Sequence, residues 1–176
     1  TGDRYVKNLV YSSLSLAYLP DSTETGINPS FQNIEYNIDV GLDYALKAME
    51  YSGYSENGNS RYLASLFERY GKYQIALEYQ LKIEDSPYVT MRAASALILG
   101  GFAEDELVER NKERGVEIIR KLLEEIEIQG NDELMNELIE WFNELHTDYC
   151  LFNTSEEENC FERPISINDL GKYFIH

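Results

Sequence analysis

Residues 59–87, NSRYLASLFERYGKYQIALEYQLKIEDSP, carry the clearest helical pattern in this chain. In the first half, apolar residues recur every three or four positions, which predicts a helix with one apolar face. Gly71 then ends the helix, because glycine adopts the left-handed conformation of a tight turn without steric cost. A second amphipathic pattern runs from Tyr73 to Ile83 and is stopped by Pro87. Two helices joined by so few residues lie antiparallel, so the stretch predicts a helical hairpin.

Seven positions of this hairpin follow a known order of residue types. A leucine and a small residue are followed by an aromatic, a glycine, a second aromatic, a small residue and a proline; these are Leu63, Ala64, Phe67, Gly71, Tyr73, Ala76 and Pro87. In this order the hairpin resembles the tetratricopeptide repeat (TPR). Gln80 departs from the pattern, since a large apolar residue is usual there, and Pro87 comes one residue early. The alternative is an unrelated helical bundle.

Weaker copies of the same pattern flank the hairpin. Residues 3–19 predict a helix that ends at Pro20, and residues 34–51 predict its partner, whose Tyr44-Ala45-Leu46 lies 31 positions before Ile75-Ala76-Leu77. On the other side, Ala93, Gly100 and Phe102 lie 29 positions after Ala64, Gly71 and Tyr73. These offsets are close to the length of one repeat. They predict a helix pair before the hairpin and another after it.

The third pair begins with residues 88–99, which are apolar on nearly all sides and should form the most buried helix. We expect its partner helix to begin near Glu104 and to reach Ile128, either without interruption or with a break at Gly115. Residues 130–132 then close that helix and cap the next, which covers residues 132–149. This last helix is expected to cap the stack, because a solenoid does not leave its final apolar face open.

The predicted fold is therefore all-α: about three antiparallel helix pairs stacked as a short TPR-like α-solenoid, followed by a capping helix and an irregular C-terminal tail. We expect one domain over residues 1–176, with a helical stack at 1–149 and the tail at 150–176 packed on it. The chain starts at Thr1, so we expect it to be processed or cut from a longer chain.

The charge balance is strongly acidic, with 32 acidic and 15 basic residues and a net charge of −17. Nucleic acid is an unfavourable partner, because phosphate contacts need clustered Lys and Arg. An anionic membrane surface is disfavoured for the same reason, and no apolar run approaches the roughly 20 residues of a membrane span. A basic protein partner or simple solubility explains the charge.

Residues able to support metal binding or catalysis are few. The loop at residues 20–32 has neutral residues where a calcium loop needs carboxylates, so we reject calcium. His146, Cys150, Cys160 and His176 match no common zinc spacing. With two histidines and no glycine-rich phosphate loop, we expect neither an enzyme nor a cofactor.

The two cysteines lie in the tail and leave the compartment open. A disulfide between Cys150 and Cys160 would indicate an oxidising, periplasmic or secreted location, whereas free thiols would indicate the cytosol. Few lysines and many Tyr and Asn favour the disulfide. Asn153 begins a glycosylation acceptor triplet that matters only in a secreting eukaryote.

The resemblance implies a scaffold for a protein or peptide, bound on a concave face formed by the first helix of each pair. The residues expected there are Arg61, Ser65, Glu68, Arg69, Thr90, Ala94, Asn8, Ser12 and Ser15, with Tyr5, Tyr11 and Tyr18 as further candidates among 14 tyrosines. Arg61 and Arg69 on one face could bind a carboxylate or an acidic peptide, unless each pairs with a nearby glutamate. One alternative is a small-molecule-binding accessory protein of an extracytoplasmic transport system, with a tyrosine-lined pocket. Another is a structural subunit whose groove holds its own residues 161–176.

Overall fold

The computed structural model describes residues 2–19, 36–103 and 105–152, the last eight by their backbone alone. Within these residues the secondary structure is helical, which confirms the all-α prediction. The helices are α1 (Gly2–Tyr18), α2 (Ile38–Glu50), α3 (Glu56–Arg69), α4 (Tyr73–Gln80), α5 (Pro87–Leu99), α6 (Lys112–Gln129) and α7 (Asp132–Phe152).

Local capping residues lie at several of the helix ends. The side chains of Asn37, Ser55 and Asn111 accept hydrogen bonds from backbone amides in the first turns of α2, α3 and α6, at 3.0–3.2 Å. These bonds satisfy amides that have no partner inside the helix. Gly71, Gly100 and Gly130 follow α3, α5 and α6 with φ of 72°, 88° and 68°. The predicted glycine turns at positions 71 and 130 are therefore confirmed.

The chain divides into two compact units, Thr1–Lys72 and Tyr73–His176. The boundary falls between α3 and α4, the two helices of the predicted hairpin. The antiparallel packing of that hairpin stays a prediction, as does the single domain.

In the first unit, α1 packs antiparallel on α2. The Arg4 guanidinium, near the start of α1, donates to the carbonyls of Tyr51 and Ser52, just beyond the end of α2, at 3.4 and 2.6 Å. At the other end of the pair, the Asn37 amide donates to the Tyr18 carbonyl at 3.0 Å. The predicted pairing of these two helices is therefore confirmed. The connection to α3 is held by Ser52, whose hydroxyl donates to the Asn59 side-chain oxygen at 2.6 Å.

In the second unit, α5 lies at the centre of the core. Seven of its residues are buried, from Met91 to Ile98, as the apolar pattern predicted. One side contacts α6 and α7 through a cluster that includes Ile119, Leu138 and Phe142. Another contacts Leu77 of α4 and Val108.

The predicted start of the helix after α5 was wrong. This helix, α6, begins at Lys112 rather than near Glu104 and runs through Gly115 without interruption. Residues 100–108 instead fold back on themselves: the Val108 amide donates to the Gly100 carbonyl and the Phe102 amide to the Glu106 carbonyl, both at 3.0 Å. These bonds use backbone groups that a helix would need, and they allow Val108 to be buried.

The end of α4 was also misplaced. It stops at Gln80 rather than Ile83, since the amides of Lys82 and Ile83 bond three residues back, to the carbonyls of Tyr79 and Gln80. Such bonds tighten the last turn and end an α-helix. Ile83 is nevertheless buried.

Candidate protein-binding surface

Four of the nine residues expected to bind a partner lie on α3. Arg61, Ser65 and Arg69 are exposed and Glu68 is half-buried. Residues four positions apart share one face of a helix, so Arg61, Ser65 and Arg69 form a row. The opposite side buries Leu63, Ala64, Leu66 and Phe67. Because that side anchors α3, its exposed row is held in a fixed orientation; we call it the α3 face.

Tyr62 adds an aromatic group beside this row. Its ring is 43% exposed. Burial raises the pKa of its hydroxyl, and the positive charge of Arg69 acts in the opposite direction. Arg61 and Glu68 each already interact within the chain. A partner carboxylate would therefore compete with existing contacts for the guanidinium of Arg61.

The residues expected from α1 lie toward α2. The Asn8 side-chain amide donates to the Ala48 carbonyl at 2.7 Å. Ser12 is half-buried, and Ser15 is only 2% exposed. These residues therefore serve the packing of α1 on α2 and offer a partner little surface.

Four tyrosines stack in a row along the α1–α2 contact. Tyr18 stacks on Tyr44, Tyr44 on Tyr11, and Tyr11 on Tyr51, with ring centroids 5.8, 6.2 and 5.8 Å apart. The ammonium group of Lys47 lies 5.3 Å from the centre of the Tyr44 ring, as does that of Lys7 from the Tyr51 ring. Both distances fit cation–π contacts. Of the three tyrosines expected to bind a partner, Tyr11 and Tyr18 belong to this row.

Thr90 and Ala94 lie on α5, in the second unit. The Thr90 hydroxyl donates to the Ser86 carbonyl at 3.3 Å and is half-buried. Ala94 is fully buried in the α5–α6–α7 cluster. Its side chain has no exposed surface, so only Thr90 of this pair can contact a partner.

A second surface, which the sequence interpretation missed, is the apolar side of α1 that points away from α2. The large residues exposed there are Tyr5 (68%), Val6 (54%), Leu9 (53%), Val10 (48%) and Leu16 (67%). We call this surface the outer α1 face. These residues were placed in a helix from the sequence and Tyr5 was named as a candidate, but no local signal shows which side of the helix packs.

Several predicted features lie outside the described residues. These are the loop at residues 20–32, the tail at 153–176 with Cys160, and the side chains of His146 and Cys150. The disulfide therefore stays a prediction. Among the described side chains, no group of three or more His, Cys, Asp or Glu could hold a metal ion. None of the described helices is long and apolar enough to cross a membrane.

Comparisons with models of protein families, with curated proteins and with solved structures found no match to this chain.

Proposed function

We propose that this chain is a non-catalytic scaffold that binds a protein or peptide through the α3 face. The observation that carries the proposal is the row of Arg61, Ser65 and Arg69, which stays exposed while the apolar side of α3 is buried. Two guanidinium groups stand out there in a chain of net charge −17. Arginine binds carboxylates through paired, charge-assisted hydrogen bonds, so this face suits a partner that carries carboxylates.

The spacing of the two arginines suggests the form of the bound segment. Eight helical residues span about 12 Å, at 1.5 Å each. An extended peptide advances about 3.3 Å per residue, so two carboxylates three or four residues apart would reach both guanidinium groups. Tyr62 would pack against an apolar side chain beside them. The partner segment is thus an extended peptide with two acidic residues at this spacing.

We further propose that the helices form a TPR-like array. The α1–α2 and α5–α6 pairs and the left-handed glycines at positions 71 and 100 support this arrangement. A basic partner, the other expectation from the net charge, would bind acidic surface elsewhere, such as Glu133, Glu137 and Glu140 on α7.

The stacked tyrosines favour a scaffold over a small-molecule carrier. The carrier alternative needs tyrosine rings around a pocket. The rings of Tyr11, Tyr18, Tyr44 and Tyr51 instead stack on one another. Their faces are used in joining α1 to α2.

The test measures peptide binding by fluorescence anisotropy. Labelled extended peptides of equal length carry two glutamates four residues apart, two lysines at the same spacing, or two glutamines. We expect the glutamate peptide to bind most tightly, and the Arg61→Ala/Arg69→Ala double variant to weaken it at least about tenfold, the effect of losing one charged hydrogen bond.

The matched control is the Arg120→Ala/Lys121→Ala double variant, which removes two exposed cations from α6. It should leave binding unchanged. Equal binding of the three peptides, or equal loss in both double variants, would exclude the α3 face. Pull-downs from the source organism with the same variants then identify the natural partner, which should be lost only with the α3 variant.

A further inference from the structure

The outer α1 face is an apolar surface that neither α2 nor α3 covers. Tyr5, Val6, Leu9, Val10 and Leu16 follow one another at steps of one and three residues, with one step of six that spans Ser13. The opposite side of the helix packs on α2, since Asn8, Tyr11 and Tyr18 contact α2 there. α1 is therefore apolar on two sides and packed on one.

This face is about as large as the largest apolar patch on a typical monomer. Five large side chains that are each 48–68% exposed present an area on the order of 500 Å², and the largest patch on a typical monomer covers about 300–600 Å² and is often functional. The outer α1 face is therefore a candidate interaction site.

The charges on α1 indicate what kind of surface fits. α1 contains three charged residues, Asp3, Arg4 and Lys7, which sum to +1. Lys7 pairs with Asp3 at 3.0 Å, and Arg4 binds the carbonyls beyond the end of α2. The outer face therefore carries no charged group, and a charged partner surface would lose its hydration there without compensation. An uncharged apolar surface therefore fits this face, and the outer α1 face of a second copy is such a surface.

We propose that the outer α1 face binds the same face of a second copy, with the two helices antiparallel about a twofold axis. In this arrangement Tyr5 and Val6 of one copy lie near Leu16 of the other, at opposite ends of the contact. Ser13 leaves room at the centre for Leu9 of the second copy, as small residues do where helices pack closely. A twofold contact uses one patch twice, so a single self-complementary face is sufficient.

The expected affinity follows from area and charge. Two such faces bury about 1,000 Å², which is near the lower limit for a specific interface, so we expect a weak dimer that dissociates on dilution. Each copy carries a charge of −17, which opposes association. Salt screens this repulsion without weakening apolar contact, so added salt should strengthen the dimer.

The experiment is sedimentation of the full chain from about 10 to 200 μM, a range in which a weak dimer dissociates. It is run at about 0.05 M NaCl, where the surface charges of two copies repel strongly, and at about 0.5 M NaCl, where salt screens this repulsion. We expect a monomer–dimer equilibrium shifted toward dimer at the higher salt. Leu9→Asp should weaken it at least tenfold. Ile128→Asp, a matched change at an 87% exposed position of α6, should not.

Folding of each variant is checked by circular dichroism. Should Leu9→Asp lose helix content, Leu16→Ser at the 67% exposed end of the face provides the same test. A chain that stays monomeric throughout at high salt overturns the proposal, as does a dimer that neither variant weakens. Flotation of a monomeric chain with neutral phosphatidylcholine vesicles, abolished by Leu9→Asp, would assign the face to a lipid surface and overturn it too.

Discussion

Gly115 of α6 lies directly against the backbone of α5. A Cβ atom at this position would lie 2.6 Å from the carbonyl oxygen of Ala94 and 2.7 Å from Cγ1 of Ile98, closer than real Cβ atoms come to their neighbours. The carbonyl belongs to the backbone of buried α5, so it cannot rotate away as a side chain would. We therefore predict that Gly115→Ala destabilises the second unit, although alanine favours helices.

The magnitude follows from two opposing effects. Replacing glycine by alanine inside a helix stabilises it by about 1 kcal/mol. Forcing an extra methyl group into a packed contact costs about 1–3 kcal/mol, and an immobile neighbour places this case at the upper end. The free energy of unfolding should fall by about 1–2 kcal/mol. With a urea m-value of about 1–3 kcal/mol/M, the unfolding midpoint falls by roughly 0.3–2 M.

The assay is urea unfolding followed by circular dichroism. The matched control is Gly58→Ala in the first turn of α3, where an added Cβ meets Cβ of Tyr54 at 3.3 Å and Oγ of Ser55 at 3.4 Å. Tyr54 is 71% exposed and can shift, so this midpoint should stay or rise slightly. A midpoint of Gly115→Ala that rises, with an unchanged m-value, would refute the close α5–α6 contact.

Two further predictions concern pH and the stacked tyrosines. The Arg114 guanidinium, 2.8 Å from the Glu78 carboxylate, lowers the pKa of Glu78 below its ordinary value of 4.5. The pair therefore stabilises the fold above that pH, and the stabilisation is lost as the pH falls through the lowered pKa. Because the side chains are 44% and 42% exposed, Arg114→Gln should cost less than about 1 kcal/mol at neutral pH. In urea titrations, the difference in free energy of unfolding between the wild-type chain and Arg114→Gln should disappear in acid. A difference that persists in acid would contradict the pairing. Tyr44→Leu removes two stacked contacts and should lower the free energy of unfolding, measured by thermal unfolding, by about 1–3 kcal/mol. Tyr44→Phe keeps the ring and should lower it much less. Equal losses in the two variants would mean that stacking contributes nothing.

Helix positions could largely be predicted because their signals are local. Gly71 and Gly130 end helices through their own backbone freedom, and Pro87 begins α5 through its fixed φ. The end of α4 and the start of α6 could not be predicted in this way. The acidic residues after Glu104 suit a helix start, but the burial of Val108 against Leu77 and the backbone bonds of residues 100–108 prevail over that preference.

The candidate surface likewise contains residues whose exposure could be predicted from local sequence and residues whose burial could not. The exposure of Arg61, Ser65 and Arg69 follows from the helical period once the apolar side of α3 is known. The burial of Ala94 does not, because α5 is apolar nearly all round and every side of it looks alike in sequence. Its contact with Gly115 is set by a helix that begins 18 residues later.

By itself, the sequence determined that the chain forms helices and where most of them end. Only the tertiary structure decided which side of α1 packs. The tyrosines of α2 stack with Tyr11 and Tyr18, and Gly41 leaves space for Leu19, whose side chain would lie 2.6 Å from a Cβ there. A helix with apolar residues on two sides has no preference of its own between them. The side that packs is therefore decided by the shape of the neighbouring helix, and the other side stays exposed.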